Sequence, residues 1–440
     1  CDSSNKVKIK FSNIQSLQNP NNTLSYFVKL EADNQATFIV VYGLDKDCNI
    51  STPRINHDAG EQKVLLLGLI ADNKYYFQII AETPTGIKKS EIHSFTTNSL
   101  PKKFPKVNVT ASDSSKFNNG ASFVYLYPYL TAVDMKGNIV WYYDKGKGIT
   151  LISKVVKLDN GNLMIGAFSF EKKDSRIREI NMAGEILKDF EAPGFHHDFF
   201  VLPNGHIAYI QETTKDINGK NLVGDGIIEL DEAGKVVWSW NAFDHIKTDN
   251  YCTSCASRSF YRDKGDDWTH ANNVIYDSSD NSYYLSIRHT DSIIKVSRAT
   301  GKIIWELGGT NDDFNLSAND KFLHQHGPDF QKEGYLLLFD NGNHREPTQY
   351  SRVVEYKLDQ KKKTASLIWE YKFTGENAFS SSYGDVERLP DGNILIADYY
   401  NTLTEITPAG EIVWQVEMFQ PRSKLHQVLR VPNLYSVNFN

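Results

Sequence analysis

The sequence is short of long apolar runs, of excess charge and of cysteine, and each shortage excludes something. No apolar stretch approaches the roughly 20 residues that a membrane-spanning helix needs. The longest, around Val64-Leu65-Leu66-Leu67, has the length of a strand. The 48 Lys and Arg against 54 Asp and Glu leave a net charge of -6, which argues against a nucleic-acid partner, since such a partner wants a basic field. No Gly-x-x-x-x-Gly-Lys-Ser/Thr loop is present to cradle a nucleotide phosphate.

Only four of the 440 residues are cysteine, and one of them is residue 1. Cys1, followed by the polar tether Asp2-Ser3-Ser4-Asn5, reads as the lipid-bearing start of a mature bacterial lipoprotein. Lipid on Cys1 is then the expected membrane attachment, and the expected location is the bacterial cell envelope, periplasmic or lipid-anchored. Cys48 is expected as a free thiol. Cys255-Ala256-Ser257-Arg258 lacks the proline of a sulfatase signature, so a Cys-derived aldehyde nucleophile is not expected.

Aromatic residues are abundant, with 23 Tyr and 24 Phe, which suits strands better than helices. Beyond a tether over 1–6, residues 7–100 read as a β-sandwich. Leu69, Tyr75, Phe77, Ile79 and Ala81 alternate after a turn at Asp72-Asn73, and 37–42 and 91–97 are further strands. The segment resembles a fibronectin type III or Ig-like module, in which Tyr75 makes the corner hydrogen bond. Asn98-Ser99-Leu100-Pro101-Lys102-Lys103 reads as the linker.

After the linker the chain repeats, and repeats decide the fold before motifs do. A turn followed by branched residues and usually Trp occurs at Trp141, Leu187, Trp238, Trp305, Trp369 and Trp414, six copies. A second signal, a residue followed by a short strand and a turn, occurs at Ser153, His197, His270, His326, Gly384 and His426. The Trp signal comes first and the second signal comes last. The last sheet therefore lacks outer strands, which the segment before Trp141 can supply. The expected architecture is all-β: the sandwich, then a six-bladed propeller over 101–440, closed by its two ends.

The start of each innermost propeller strand faces the central channel, so four of those six positions are His in a chain with 12 His. Imidazole serves as base, nucleophile and ligand. Arg288, in Ser286-Ile287-Arg288-His289, and Asn272 join them if their strands run beside the channel. Such a pocket, cationic and with few carboxylates nearby, suits a tetrahedral oxyanion. Several His could instead ligate Zn or Cu, but Arg288 disfavours a second cation there. A ligand-binding propeller without chemistry is the other reading. Tyr125, Tyr127 and Tyr129 are candidate channel-side aromatics for stacking on aryl groups.

These residues resemble the bacterial arylsulfate sulfotransferases. The resemblance rests on His196-His197-Asp198, Asp267-Trp268-Thr269-His270-Ala271-Asn272, Arg288-His289, Gln325-His326-Gly327 and Phe339-Asp340-Asn341-Gly342-Asn343-His344-Arg345. It implies ping-pong transfer of a sulfo group from an aryl sulfate to a phenol, with no nucleotide, metal or other cofactor. It makes His326 the nucleophile and His270 and Arg288 the binders of the sulfate oxygens. The assisting His is His197 by repeat phase, or His196 if the register slips by one. Asn272 and His426 are expected to touch substrate, and a homodimer is left open. Cys252-Thr253-Ser254-Cys255 departs from the family pattern: a disulfide suits an envelope protein, whereas a redox role has no thioredoxin-like context.

Overall fold

The computed structural model describes residues 9–102, 104–171, 174–257, 264–331, 334–419 and 424–435, so the tether 1–6 with Cys1 lies outside them, as does Lys103 of the linker. Among the described residues no helix is long and apolar enough to cross a membrane. The chain is nearly all β, arranged in many antiparallel sheets.

Two sheets come first. One orders Phe11–Asn19, Asn22–Ala32 and Gly60–Leu66, and the other centres on the pair Ala36–Gly43 and Lys74–Thr83. Alternate residues of Lys74–Thr83 are buried, because successive side chains of a strand leave opposite faces. Tyr75, Phe77, Ile79 and Ala81 share one core with Val28 and Leu30 of the other sheet. The Ile70 N–H donates to the Tyr75 hydroxyl at 3.0 Å, the contact of a tyrosine corner. Tyr42 sits at the seam with the rest of the chain, its hydroxyl donating to the Leu67 carbonyl at 2.6 Å and lying 3.0 Å from that of Tyr435.

Six more sheets follow. Five begin at Leu151–Lys157, Phe195–Val201, Ala271–Asp277, His326–Gln331 and Asp385–Arg388, each continued by the next three long strands in chain order. The sixth joins Ala121–Leu126, Tyr129–Asp134 and Ile139–Asp144 to the C-terminal strand Leu429–Val431, with Phe123 opposite Leu429. The early and late segments thus share a sheet, as the phase offset between the two repeats implies. One strand had no repeat signature to announce it: Lys106–Ser112 adds a fifth strand outside Ile412–Phe419.

The tryptophans show why their signal recurs. Each lies on the last strand of its sheet, and three of them give the indole N–H to a backbone carbonyl in the following sheet. Trp141 donates to Met182 at 2.8 Å, Trp369 to Pro408 at 2.8 Å and Trp414 to Met135 at 2.9 Å. In the fourth case the bond comes from Trp240, which reaches Gly301 at 2.9 Å, while the repeat's own Trp238 stacks on Tyr283. The Trp414 bond runs from the last complete sheet back to the sheet shared by both ends. Gly161, Gly205, Gly334 and Gly392 hold φ of 85°, 82°, 81° and 92° in the hairpins after the second signal, a region that only glycine occupies freely.

Candidate active site

The second repeat signal marks the first strand of each sheet, and its six positions converge. Ser153, His197, His270, His326, Gly384 and His426 all line one cavity of about 770 Å³. Pairing breaks register at Ser153 and His197, between Ile152 and Lys154 and between Phe195 and Phe199, and just after His270 and His326, between Ala271 and Asn273 and between His326 and Asp329. A bulge bends the strand and re-aims a side chain. His197 and His270 hold left-handed φ of 55° and 50°, strained for a residue with a Cβ and of a kind that clusters at functional sites.

All seven residues expected from sequence line this cavity: His326, His270, Arg288, His197, Asn272, His426 and His196. Their partners fix what each can do. The Asn341 amide nitrogen donates to the carbonyls of Ser380 at 2.8 Å and Tyr383 at 2.7 Å. Its oxygen must therefore be the atom that faces His326 Nδ1, at 2.6 Å. An amide oxygen only accepts, so Nδ1 carries the hydrogen and Nε2 the lone pair. Burial, then the nearby Arg288 charge, holds His326 well below the usual imidazole range. It is a neutral imidazole whose lone pair sits on Nε2.

Arg288 opens the short 3-10 turn Arg288–Thr290 after the strand Ser282–Ile287. One terminal nitrogen donates to His289 Nε2 at 2.8 Å and the other to the Ser381 carbonyl at 3.0 Å. Its Nε, like Ser153 Oγ and Asn272 Oδ1, is buried without a hydrogen-bond partner among the described residues. Buried polar groups are rarely left so outside functional sites. Burial lowers Arg288 to about 10, which still leaves it charged at neutral pH.

Two imidazoles are backed by carboxylates. His270 Nδ1 lies 2.5 Å from Asp267 Oδ2, and the same carboxylate accepts the His270 N–H at 3.1 Å. Burial, then Arg288, keeps His270 well below its usual value. Behind His197 the chain is longer. His197 Nδ1 lies 2.7 Å from His196 Nδ1, and His196 Nε2 lies 2.9 Å from Asp225 Oδ1. Asp225 also accepts from the Thr269 hydroxyl at 2.7 Å. Burial pushes Asp225 up, but His196 and these donors outweigh it, and its carboxyl sits below the usual range.

The carboxylates correct one expectation. Few were foreseen near the pocket, yet Asp198 and Asp385 line it and Asp267 and Asp225 stand behind it. Asp198 and Asp385 stitch the first strands together. Asp198 accepts from Lys154 at 2.8 Å and from the Val274 N–H at 3.0 Å, and Asp385 from the Val428 N–H at 2.9 Å. Burial raises both, Asp385 to about 7. A second correction concerns aromatics. Tyr125 and Tyr129 pack into cores and Tyr127 packs against one of them, because their strand pair alternates into the sheet interfaces. The cavity's aromatic wall is instead Phe168, Phe170, Phe379 and Tyr383, which carry no repeat signal.

Residues 106–427 match the arylsulfotransferase (ASST) family. The chain is 25% identical over 342 residues to arylsulfate sulfotransferase AssT of Escherichia coli O6:H1, covering 61% of this chain and 57% of that protein. It is 23% identical over 353 residues to arylsulfate sulfotransferase AssT of Lelliottia amnigena, covering 60% of this chain and 56% of that protein. The matched region thus spans a little over half the length of these relatives. A solved structure similar to the chain is the β-propeller domain of Myceliophteria_thermophila Cps50 (Swd1), with a TM-score of 0.39, 10% identity, and coverage of 72% of this chain and 92% of that one. The match over residues 106–427 takes in all seven cavity residues expected from sequence, and the chain belongs to the arylsulfotransferase family.

Proposed function

We propose that the chain transfers a sulfo group from an aryl sulfate to a phenol in two displacements, with His326 Nε2 as the nucleophile. The six sheets after the N-terminal sandwich are read as six blades around a channel, and the cavity as that channel's mouth. The observation that carries the reading is the Asn341 amide, oriented by two carbonyls so that His326 presents a lone pair to the cavity. A neutral, oriented imidazole is what a nucleophilic role requires.

In the first displacement the Nε2 lone pair forms a bond to sulfur as the bond from sulfur to the aryl oxygen breaks. Arg288 holds the sulfonyl oxygens through its buried Nε–H, and Asn272 through the second hydrogen of its amide nitrogen, the first being given to the Gln325 carbonyl at 2.6 Å. As the anion arrives, His270 takes a second proton from solvent at Nε2, its charge balanced by Asp267, and donates through that nitrogen. The leaving oxygen takes a proton from His197 Nε2. As it does, the proton between the two Nδ1 atoms moves from His196 to His197, and His196 gives up the positive charge that Asp225 balanced. The chain is then a base. In the second displacement it accepts the proton of the incoming phenol, whose oxygen forms the new bond to sulfur as the bond from nitrogen to sulfur breaks. The aromatic wall holds either aryl ring in turn.

Incubation with para-nitrophenyl sulfate and no acceptor should leave one sulfo group on His326, read by intact-protein mass and peptide mapping. His326→Asn should lose both adduct and turnover. An adduct on His197, His270 or His426, or full activity in His326→Asn, overturns the assignment. Substrate binding with no adduct and no turnover would leave a ligand-binding propeller in its place.

A further inference from the structure

At the edge of the cavity, away from His326, four side chains converge that the transfer chemistry does not use. Cys252 is the N-cap of a single helical turn, Thr253–Ala256, and Cys255 lies within it; the two pair as a disulfide with their Cα atoms 5.3 Å apart. His324 Nε2 lies 3.1 Å from the Cys255 sulfur, and His344 Nε2 lies 3.2 Å from that sulfur and 3.4 Å from the Cys252 sulfur. The two sulfurs and two imidazole nitrogens all lie within 4.8 Å of one another. Both imidazoles are carried on left-handed backbone, His324 at φ 57° and His344 at φ 63°.

The proton positions do not suit a disulfide. His324 Nδ1 meets Asp291 Oδ1 at 2.8 Å, and a carboxylate accepts, so Nδ1 bears the hydrogen. The neutral ring then points the Nε2 lone pair at a sulfur that, in a disulfide, has no hydrogen to offer. A cation between them removes the mismatch. A carboxylate on the far nitrogen is also what orients a metal-ligating His and raises its basicity. Two cysteine sulfurs three positions apart with two imidazoles form the tetrahedral set that selects zinc over harder cations.

We propose that the dithiol form of Cys252 and Cys255, with His324 and His344, binds one zinc ion, and that the disulfide is the metal-free form of the same site. The forms interconvert with atoms balanced. A dithiol reductant supplies two electrons and two protons to break the sulfur–sulfur bond and is itself oxidised to a disulfide. Zinc then displaces both thiol protons, so two thiolates neutralise its charge. The bound ion staples the turn Thr253–Ala256 to the segments carrying His324 and His344. That turn is already docked, the Cys252 N–H donating to the His289 carbonyl at 2.8 Å beside Arg288.

The test uses the full chain, reduced anaerobically with a dithiol and titrated with cobalt as the probe. Two titratable thiols should appear at 252 and 255. About one cobalt per chain should bind with the intense visible bands of tetrahedral coordination and a thiolate charge-transfer band, and zinc should displace it. Unreduced protein should show neither band. His344→Ala removes an exposed ligand and should weaken binding at least tenfold with altered bands; Cys255→Ser should lose most of the charge-transfer intensity. The proposal is overturned if the thiols cannot be released, if the reduced protein binds no cobalt, or if His344→Ala binds with an unchanged spectrum.

Discussion

His326 Nδ1 stands 2.6 Å from Asn341 Oδ1, and that one contact decides which nitrogen of the imidazole can react. Asn341 lies 15 positions further along the chain, in the strand-ending motif Phe339-Asp340-Asn341, and both carbonyls that orient its amide come from a later loop. Asn341 is a positioning residue. Asn341→Leu fills similar volume but leaves either nitrogen free to carry the hydrogen. Formation of the sulfo adduct, followed by stopped mass spectrometry, should slow by about 10²-fold or more, in line with the loss when a catalytic imidazole is left in the wrong tautomer. The KM for the aryl sulfate should change little. A KM rise with an unchanged rate constant would instead mean that Asn341 merely shapes the pocket.

Arg288→Lys keeps the charge and loses the planar fork. The guanidinium uses both terminal nitrogens on His289 and Ser381, a pair of directions a single ammonium cannot reproduce. Both half-reactions should slow by about 10–10²-fold, measured by single-turnover release of para-nitrophenol and by decay of the adduct on adding a phenol. The adduct should stay on His326.

His426 ties stability to pH. Burial lowers it from the usual 6.5 to about 4, and it faces His197, Tyr383 and the neighbouring His326. A depressed pKa means that the unfolded chain takes up the proton first as pH falls. The contribution is therefore complete above about pH 6.5 and lost as pH drops towards 4, on the order of 3 kcal/mol in all. Asp385 has the opposite sign: raised to about 7, its contribution is complete below the usual carboxylate range and lost as pH rises towards 7. Comparing the wild type with His426→Asn separates the two. In urea unfolding, the stability at pH 8 minus that at pH 5 should be lower in the variant by about 2 kcal/mol. Equal differences would place His426 in contact with solvent.

Much of this arrangement was legible in the sequence because repetition reports on geometry. Six copies of one phase put His197, His270, His326 and His426 at equivalent strand starts, and equivalent starts meet at one cavity. The offset between the two signals required Leu429–Val431 to complete the sheet of Ala121–Leu126. Residues acting from outside the repeat phase were not legible. Asp225 lies in the middle of Lys220–Leu230, two strands from His196 in the same sheet and 29 positions along the chain, and Phe168, Phe170 and Phe379 reach the cavity from loops and strand ends. The tyrosines at 125 and 129 misled because alternation says that a side chain is buried and not which interface buries it.

Arg430 is the side chain on which the C-terminal strand depends. It donates through Nε to Ser122 at 2.8 Å and through Nη1 to Glu405 at 3.1 Å, and its backbone N–H reaches Glu387 at 2.8 Å. Glu405 is fully buried, so Arg430→Met leaves a carboxylate without its cation inside the protein. The expected loss is about 3–5 kcal/mol, read as a lower urea midpoint at unchanged m-value. A smaller m-value would mean that the strand had detached before global unfolding. A loss below about 1 kcal/mol would show that the early and late segments are joined mainly by backbone pairing.

The last expectation concerns Asp225, which touches no substrate. If the chain from Asp225 through His196 to His197 carries the proton to the leaving oxygen, its value depends on how much that oxygen needs one. A para-nitrophenolate leaves readily unprotonated, whereas an unsubstituted phenolate does not. Asp225→Asn keeps an oxygen for the Thr269 hydroxyl but cannot balance a charged His196. It should slow phenyl sulfate by about 10²–10³-fold, the usual worth of general acid catalysis, and para-nitrophenyl sulfate far less. The measured quantity is the ratio of kcat/KM for the two donors in one preparation, which cancels any fraction that fails to fold. A ratio equal to that of the wild type would reduce Asp225 to a structural brace for Thr269 and Ala271, whose N–H it accepts at 2.5 Å, and would leave the leaving oxygen to be protonated by water.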